Sequence, residues 1–204
     1  MTSPRTTVVF DLGGVLIDWN PRHLYRKLFP GDEAAMEEFL GTVCTQAWNV
    51  MQDAGRSFAE GAAVLKARHP ERAALIDAFG ARFGEMMAGE IAGSVAILEE
   101  LHRRGVELYA LSNWSRETFP FAQRRFAFLE RFRGIVISGE VGHVKPEAAI
   151  YRHLLERFAI DPARAVFIDD IAGNAEAARA FGIHPIHFTS APALERELRG
   201  LRLL

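Results

Sequence analysis

The stretch Arg5–Gly14, RTTVVFDLGG, decides the reading of this chain. Arg5 to Phe10 is a short β-rich run that meets Asp11 and then the glycine pair Gly13–Gly14. A buried strand ending in a tight turn accounts for it most simply. Downstream, from about Pro21 to Gly89, Ala, Glu, Leu, Met and Arg dominate, punctuated at Pro30–Gly31, Gly55, Pro70 and Gly89. That texture predicts a block of roughly four helices.

After Gly93 the texture changes again. Ser94 is suited to cap the helix VAILEELHRR, which Gly105 follows, and VELYALS (Val106–Ser112) reads as a strand. The alternation then repeats: strand Gly134–Ser138, helix Pro146–Phe158, strand Ala165–Asp169, helix Asn174–Phe181 and strand His184–Phe188. Parallel neighbours need crossover connections, so the pattern predicts an α/β fold, a doubly wound parallel sheet covered on both faces. The helical block interrupts it after strand one. The expected division is a core of residues 1–16 and 90–204 with an inserted α-helical cap over 17–89.

The 204 residues are 49% hydrophobic and 25% charged, with a net charge of −2, which is ordinary globular material. Lys and Arg are not gathered: the doublets Arg103–Arg104 and Arg124–Arg125 fit solvated helix sides, so no nucleic-acid partner is expected. With no long apolar run and no basic-then-apolar leader, no membrane partner is expected and a cytoplasmic location is. Cys44 stands alone and reads as an inert buried thiol. A monomer or homodimer is expected.

In an open parallel sheet, ligands gather outside the carboxyl ends of the strands where strand order reverses. The polar residues there are Asp11, Ser112–Asn113, Lys145 and Asp169–Asp170. Together they match phosphoryl-transfer chemistry. A carboxylate can attack phosphorus if a cation neutralises the charge between the two anions, and a second carboxylate holds that cation. Asp11 supplies the first and Asp170 the second, while a hydroxyl, an amide and an ammonium can bind the phosphoryl oxygens.

Four segments carry a family resemblance: FDLGGVLID (Phe10–Asp18), LSN (Leu111–Asn113), VKPEAAIY (Val144–Tyr151) and FIDDIAGN (Phe167–Asn174). In that order they resemble the motifs of the haloacid dehalogenase superfamily. Within it, the chain is most similar to bacterial sugar-phosphate phosphatases of the glucose-1-phosphatase type and to the phosphatase domain of soluble epoxide hydrolases. The resemblance implies a Rossmann-like core with a helical cap and a Mg²⁺ cofactor. It implies Asp11 as nucleophile and metal ligand, and Asp170 as metal ligand supported by Asp169. Ser112, Asn113 and Lys145 would bind phosphate, and Asn174 would brace the acidic loop. Trp114, next to them, is either a core aromatic or a wall of the substrate pocket. Trp19, Trp48 and the Phe-rich stretch Phe119–Phe132 read as packing residues, and His23 and His143 as surface groups.

One position departs from the pattern. The usual second Asp, two residues after the nucleophile, protonates the leaving group and activates water; here it is Gly13. General acid–base help is worth about 10²–10⁴ in rate. The Gly13 backbone carbonyl can still serve a metal while solvent, Asp18 or a cap residue such as His23 moves the proton. The expected activity is therefore a magnesium-dependent phosphatase acting on small phosphomonoesters, sugar phosphates first. The alternatives are a metal-independent 2-haloacid dehalogenase and a catalytically weak phosphate-ester-binding protein.

Overall fold

A computed structural model of the chain describes residues 5–204, so the first four residues of the expected core segment lie outside the described residues. Along the chain run β1 (Thr7–Phe10), β2 (Ile17–Trp19), α1 (Arg22–Leu28), α2 (Glu33–Thr42), α3 (Gln46–Asp53), α4 (Phe58–Arg68), α5 (Ala73–Ala81) and β3 (Met87–Glu90). Then follow α6 (Ala92–Arg103), β4 (Glu107–Ser112), α7 (Phe119–Arg125), β5 (Gly134–Ile137), α8 (Ser138–Val141) and α9 (Ala148–Phe158). The chain closes with β6 (Ala165–Asp169), α10 (Ala172–Arg179), β7 (His184–His187) and α11 (Ala191–Gly200).

Five of the strands form one sheet in the order β5-β4-β1-β6-β7, and every pairing in it is parallel. The chain fills one side of β1 and then the other, so the order reverses at β1. The carboxyl ends of β4, β1 and β6, carrying Ser112, Asp11 and Asp169, therefore meet at the switch point. Strand β1 is buried at every position because both faces are covered. Its residues and their register partners alternate between faces: Val8, Leu108 and Val166 belong to one apolar cluster, Val9, Tyr109 and Phe167 to the other.

Between β2 and β3, an antiparallel pair, lies a helical insertion. It holds five α-helices where four were expected, because the turn at Gly31 separates α1 from α2 and Pro70 opens a short 3₁₀ turn before α5. Its interior is aromatic: Tyr25, Phe39, Trp48, Phe58 and Phe79 pack ring to ring. The chain of rings runs on from Phe79 through Phe83 to Trp114 of the sheet unit, and the whole belongs to the same apolar cluster as one sheet face. Cys44 is buried there, and burial pushes its thiol up to about 12, so the inert reading stands.

Ser94 is not a helix cap. Helix α6 begins earlier, behind Ile91, whose amide is held by the Leu16 carbonyl, and this places Ser94 in its first turn with a buried, unpartnered hydroxyl. No helix among the described residues is long and apolar enough to cross a membrane.

Candidate active site

Asp11 leaves β1 with its amide bonded to the Ile168 carbonyl at 2.8 Å, and the backbone then curls. The Leu12 carbonyl accepts from both Leu16 and Ile17, and the Gly14 amide donates to Ile17; the Gly13 carbonyl takes part in none of these bonds. The curl turns the Asp11 side chain inward. Its Oδ1 accepts from the Leu12 amide at 2.7 Å, the Ser112 hydroxyl at 2.8 Å and the Lys145 ammonium at 2.9 Å. Three donors converge on Oδ1, and none of these bonds uses Oδ2. Gly14 has φ +74°, and a Cβ there would lie 2.3 Å from Asp170 Oδ2. The glycine thus meets two demands, a left-handed turn and the close approach of a second carboxylate.

Lys145 is the hub of the site. Its Nζ lies 2.6 Å from Asp169 Oδ2, and its side chain is 1% exposed. Burial alone would lower the ammonium, but Asp11 and Asp169 outweigh it and hold it charged. Asn113 clamps the Lys145 main chain, accepting from its amide at 2.7 Å and donating to its carbonyl at 3.0 Å. Asp169 is spent on structure: it accepts from Lys145, from the Ile171 amide at 2.8 Å and from Asn174 Nδ2. Asn174 sits in the first turn of α10, where it braces the acidic loop from behind. Asp169 and Asp170 do not cap that helix with a side chain; Ile171 occupies the cap position.

Asp11, Asp169 and Asp170 each present a carboxylate oxygen within 4.8 Å of the others. Because Asp169 is occupied by donors, Asp11 and Asp170 are the pair with capacity for a cation, and an all-oxygen set suits a hard divalent ion. Burial pushes Asp11 up to about 7, opposed by Lys145 and reinforced by Asp169 and Asp170. Asp170 is raised by burial and by Asp169.

These groups open onto a cavity of about 380 Å³. Trp114 is buried, with its indole N–H on Thr118 at 3.1 Å, and it also lines the cavity with Phe83. Trp19 also lines the wall, while Trp48 packs inside the insertion with its indole N–H on the Gly61 carbonyl. Asp18 and His23 pair with each other at 3.0 Å and do not line the cavity. His143 pairs with Glu147 at the exposed start of the next segment.

The residue that sequence reasoning missed is Asp53, the last residue of α3. It is 7% exposed and lines the cavity with Asp11, Lys145 and Asp170. Its carboxylate accepts from Asn49 Nδ2 at 3.0 Å, and its carbonyl accepts from the Ser138 hydroxyl at 2.6 Å. Burial pushes it up to about 7, with the Ser115 backbone and Lys145 opposing and Asp11 adding. In the sequence it is one polar residue before a glycine turn, and no motif marks it.

The haloacid dehalogenase-like hydrolase family model matches residues 6–182 of the chain. A sesquiterpene phosphatase, astK, of Aspergillus oryzae is 26% identical over 208 residues and covers 98% of both chains. A phosphorylated carbohydrates phosphatase of Thermotoga maritima is 25% identical over 188 residues, covering 88% of this chain and 83% of its own. The magnesium complex of a haloacid dehalogenase family enzyme from Bacteroides thetaiotaomicron superposes with a TM-score of 0.74 at 22% identity, over 97% of this chain and 100% of the other. The same enzyme has also been solved with magnesium and inorganic phosphate.

Proposed function

The chain belongs to the haloacid dehalogenase-like hydrolases, and within that family we propose that it is a magnesium-dependent phosphatase of small phosphomonoesters that works through an aspartyl-phosphate on Asp11. The observation that carries the reading is the Asp11 carboxylate itself. One oxygen is held by three donors, the ammonium of Lys145 joins it to Asp169, and Asp170 stands close enough to share a cation. Phosphatases among its relatives and a magnesium-bound neighbour of the same fold support it.

In the first step an Asp11 oxygen attacks phosphorus, the P–O bond to the leaving group breaks, and the phosphoryl group passes to Asp11. In the second, water attacks the same phosphorus and Asp11 is released. Lys145 and the Ser112–Asn113 loop hold the phosphoryl oxygens in place of solvent. A Mg²⁺ ion held by Asp11, Asp170 and the Gly13 carbonyl would neutralise charge between the nucleophile and the ester dianion.

A cavity of about 380 Å³ suits a small ester. Beyond the phosphoryl end, Asn20, Arg22, Gln46 and Asn49 offer polar contacts against walls of Trp19 and Phe83. That mixture fits a sugar phosphate, whose hydroxyls need partners and whose ring faces pack on aromatics. The test is phosphate release from a panel of sugar, terpenyl and aryl phosphates, with magnesium, with chelator, and with Asp11→Asn. Release that needs magnesium and vanishes in Asp11→Asn is expected. Release unaffected by either change would sink the mechanism.

A further inference from the structure

With Gly13 two residues beyond the nucleophile, the proton that the leaving oxygen needs has no side-chain source on the Asp11 loop. Among the described residues, the ionisable side chains lining the cavity are Asp11, Arg22, Asp53, Lys145 and Asp170. Asp11 is the nucleophile, Lys145 is locked between two carboxylates, and Asp170 stands with Asp11 in the cation site. Arg22 is held by Glu37 through two bonds, at 2.5 and 2.6 Å, and a guanidinium does not give up its proton. Asp18 and His23 satisfy each other outside the cavity.

We infer that Asp53, on the helical insertion, is the proton-transfer residue of this enzyme. The inference rests on the phosphatase reading above and assigns within it a role that the Asp11 loop leaves vacant.

One bond registers the residue against the rim of the sheet, and a second ties it to its own helix. The Ser115 backbone, three residues past Ser112, is near enough to Asp53 to lower its carboxyl against the pull of burial. The Ser138 hydroxyl donates to the Asp53 carbonyl and accepts from the Trp114 amide at 2.9 Å, so one side chain joins the end of α3 to the Ser112–Asn113 loop. Asn49 donates from Nδ2 to Asp53 Oδ2. The Asn49 Oδ1, by contrast, is buried without any partner, in a residue that lines the cavity and is only 4% exposed. A buried acceptor without a donor is costly, and one placed beside a carboxyl has a use for the hydrogen of a bound hydroxyl or water. Asn49 and Asp53 together form a site for one oxygen carrying hydrogen.

The proton count closes. As the Asp11–phosphorus bond forms and the bond to the leaving oxygen breaks, the Asp53 carboxyl gives its proton to that oxygen, which departs as an alcohol. The Asp53 carboxylate then takes a proton from the water whose oxygen bonds to phosphorus while the Asp11–phosphorus bond breaks. Phosphate leaves and Asp53 is again protonated. A carboxyl held near neutrality by burial suits both halves of this cycle.

The test compares Asp53→Asn with wild type on a sugar or simple alkyl phosphate and on 4-nitrophenyl phosphate. The wild type must first release phosphate and Asp11→Asn must not; failure there refutes the phosphatase reading, not this one. In Asp53→Asn, kcat/KM for the alkyl ester is expected to fall by about 10²–10⁴. The aryl ester, whose leaving group departs without a proton, should still phosphorylate the enzyme. Because water attack has lost its base, nitrophenol should appear as a burst while intact-mass spectra show the phosphorylated chain accumulating. An equal loss on both esters without a burst, or no loss on either, overturns the assignment. Wild type offers a check that needs no variant: its kcat/KM should vary little with the acidity of the leaving alcohol, and a steep dependence overturns the assignment as well.

Discussion

The Asp53 carboxyl predicts a stability cost that can be measured apart from any catalysis. Burial raises it from 3.8 to about 7, against the opposing pull of Lys145 and the Ser115 backbone. In the unfolded chain the group loses its proton near pH 4, whereas in the native protein it keeps the proton until about 7. Between those values the native state binds the extra proton, so stability falls as pH rises through the window. Each unit corresponds to about 1.4 kcal/mol, and from pH 5 to pH 8 the loss attributable to Asp53 is on the order of 3 kcal/mol. Asp53→Asn keeps the shape and removes the titration. Relative to wild type, the variant should therefore gain roughly 3 kcal/mol from pH 5 to pH 8, or about 6–12 °C in Tm for a domain of this size. Urea denaturation of both proteins in chelator, at pH 5, 6, 7 and 8, measures it. Asp11 and Asp170 titrate in both proteins, so the difference retains only the Asp53 titration and its coupling to Asp11. Parallel stability curves, with a gap constant to within about 0.5 kcal/mol, would refute the buried-carboxyl reasoning. A divergence of the expected sign means that the chain carries a carboxyl its fold would be more stable without, the usual mark of a residue kept for function.

Lys145→Met leaves the buried Asp11 and Asp169 without their shared cation, so a loss of about 3–5 kcal/mol is expected in urea midpoints with chelator present; a loss under about 1 kcal/mol would contradict the ion-pair geometry. Gly14→Ala pushes a methyl against Asp170 and strains a positive φ, so the magnesium concentration for half-maximal activity should rise about 10- to 100-fold while circular dichroism shows the fold retained. Gly13→Asp is sterically open, since a Cβ there meets nothing nearer than Trp19 Cβ at 3.8 Å. Placed in the Asp53→Asn background, it should restore about tenfold or more of alkyl-ester turnover, and no recovery would show that the Gly13 position cannot reach the leaving oxygen.

The sheet was legible because its strands announce themselves twice, by apolar runs such as Thr7–Phe10 and Ala165–Asp169 and by the polar residues at their ends. Those ends belong to neighbouring strands β4, β1 and β6, which is why Ser112, Asp11 and Asp169 fall together in space. What those residues do to one another was less legible. Ser112 and Asn113 read as phosphate ligands, and in the structure their side chains hold Asp11 Oδ1 and the Lys145 main chain. Ser94 was misread because a serine before an apolar helix fits a cap equally well one turn inside it, and only the tertiary bond from Ile91 to Leu16 sets the true start. Asp53 was out of reach because its significance lies in burial against Ser115 and Ser138, more than sixty residues away, and local pattern carries no trace of that.

The unbroken run of rings from Trp48 through Phe79 and Phe83 to Trp114 bears on how this protein comes apart. A helical insertion with an interior of its own could melt separately and swing freely on β2 and β3. Here the insertion shares its apolar cluster with one face of the sheet, and lifting it would bring water to those rings. Cooperativity follows: heat or urea should dissolve both parts in a single transition, and the excised segment between β2 and β3 should fail to fold alone.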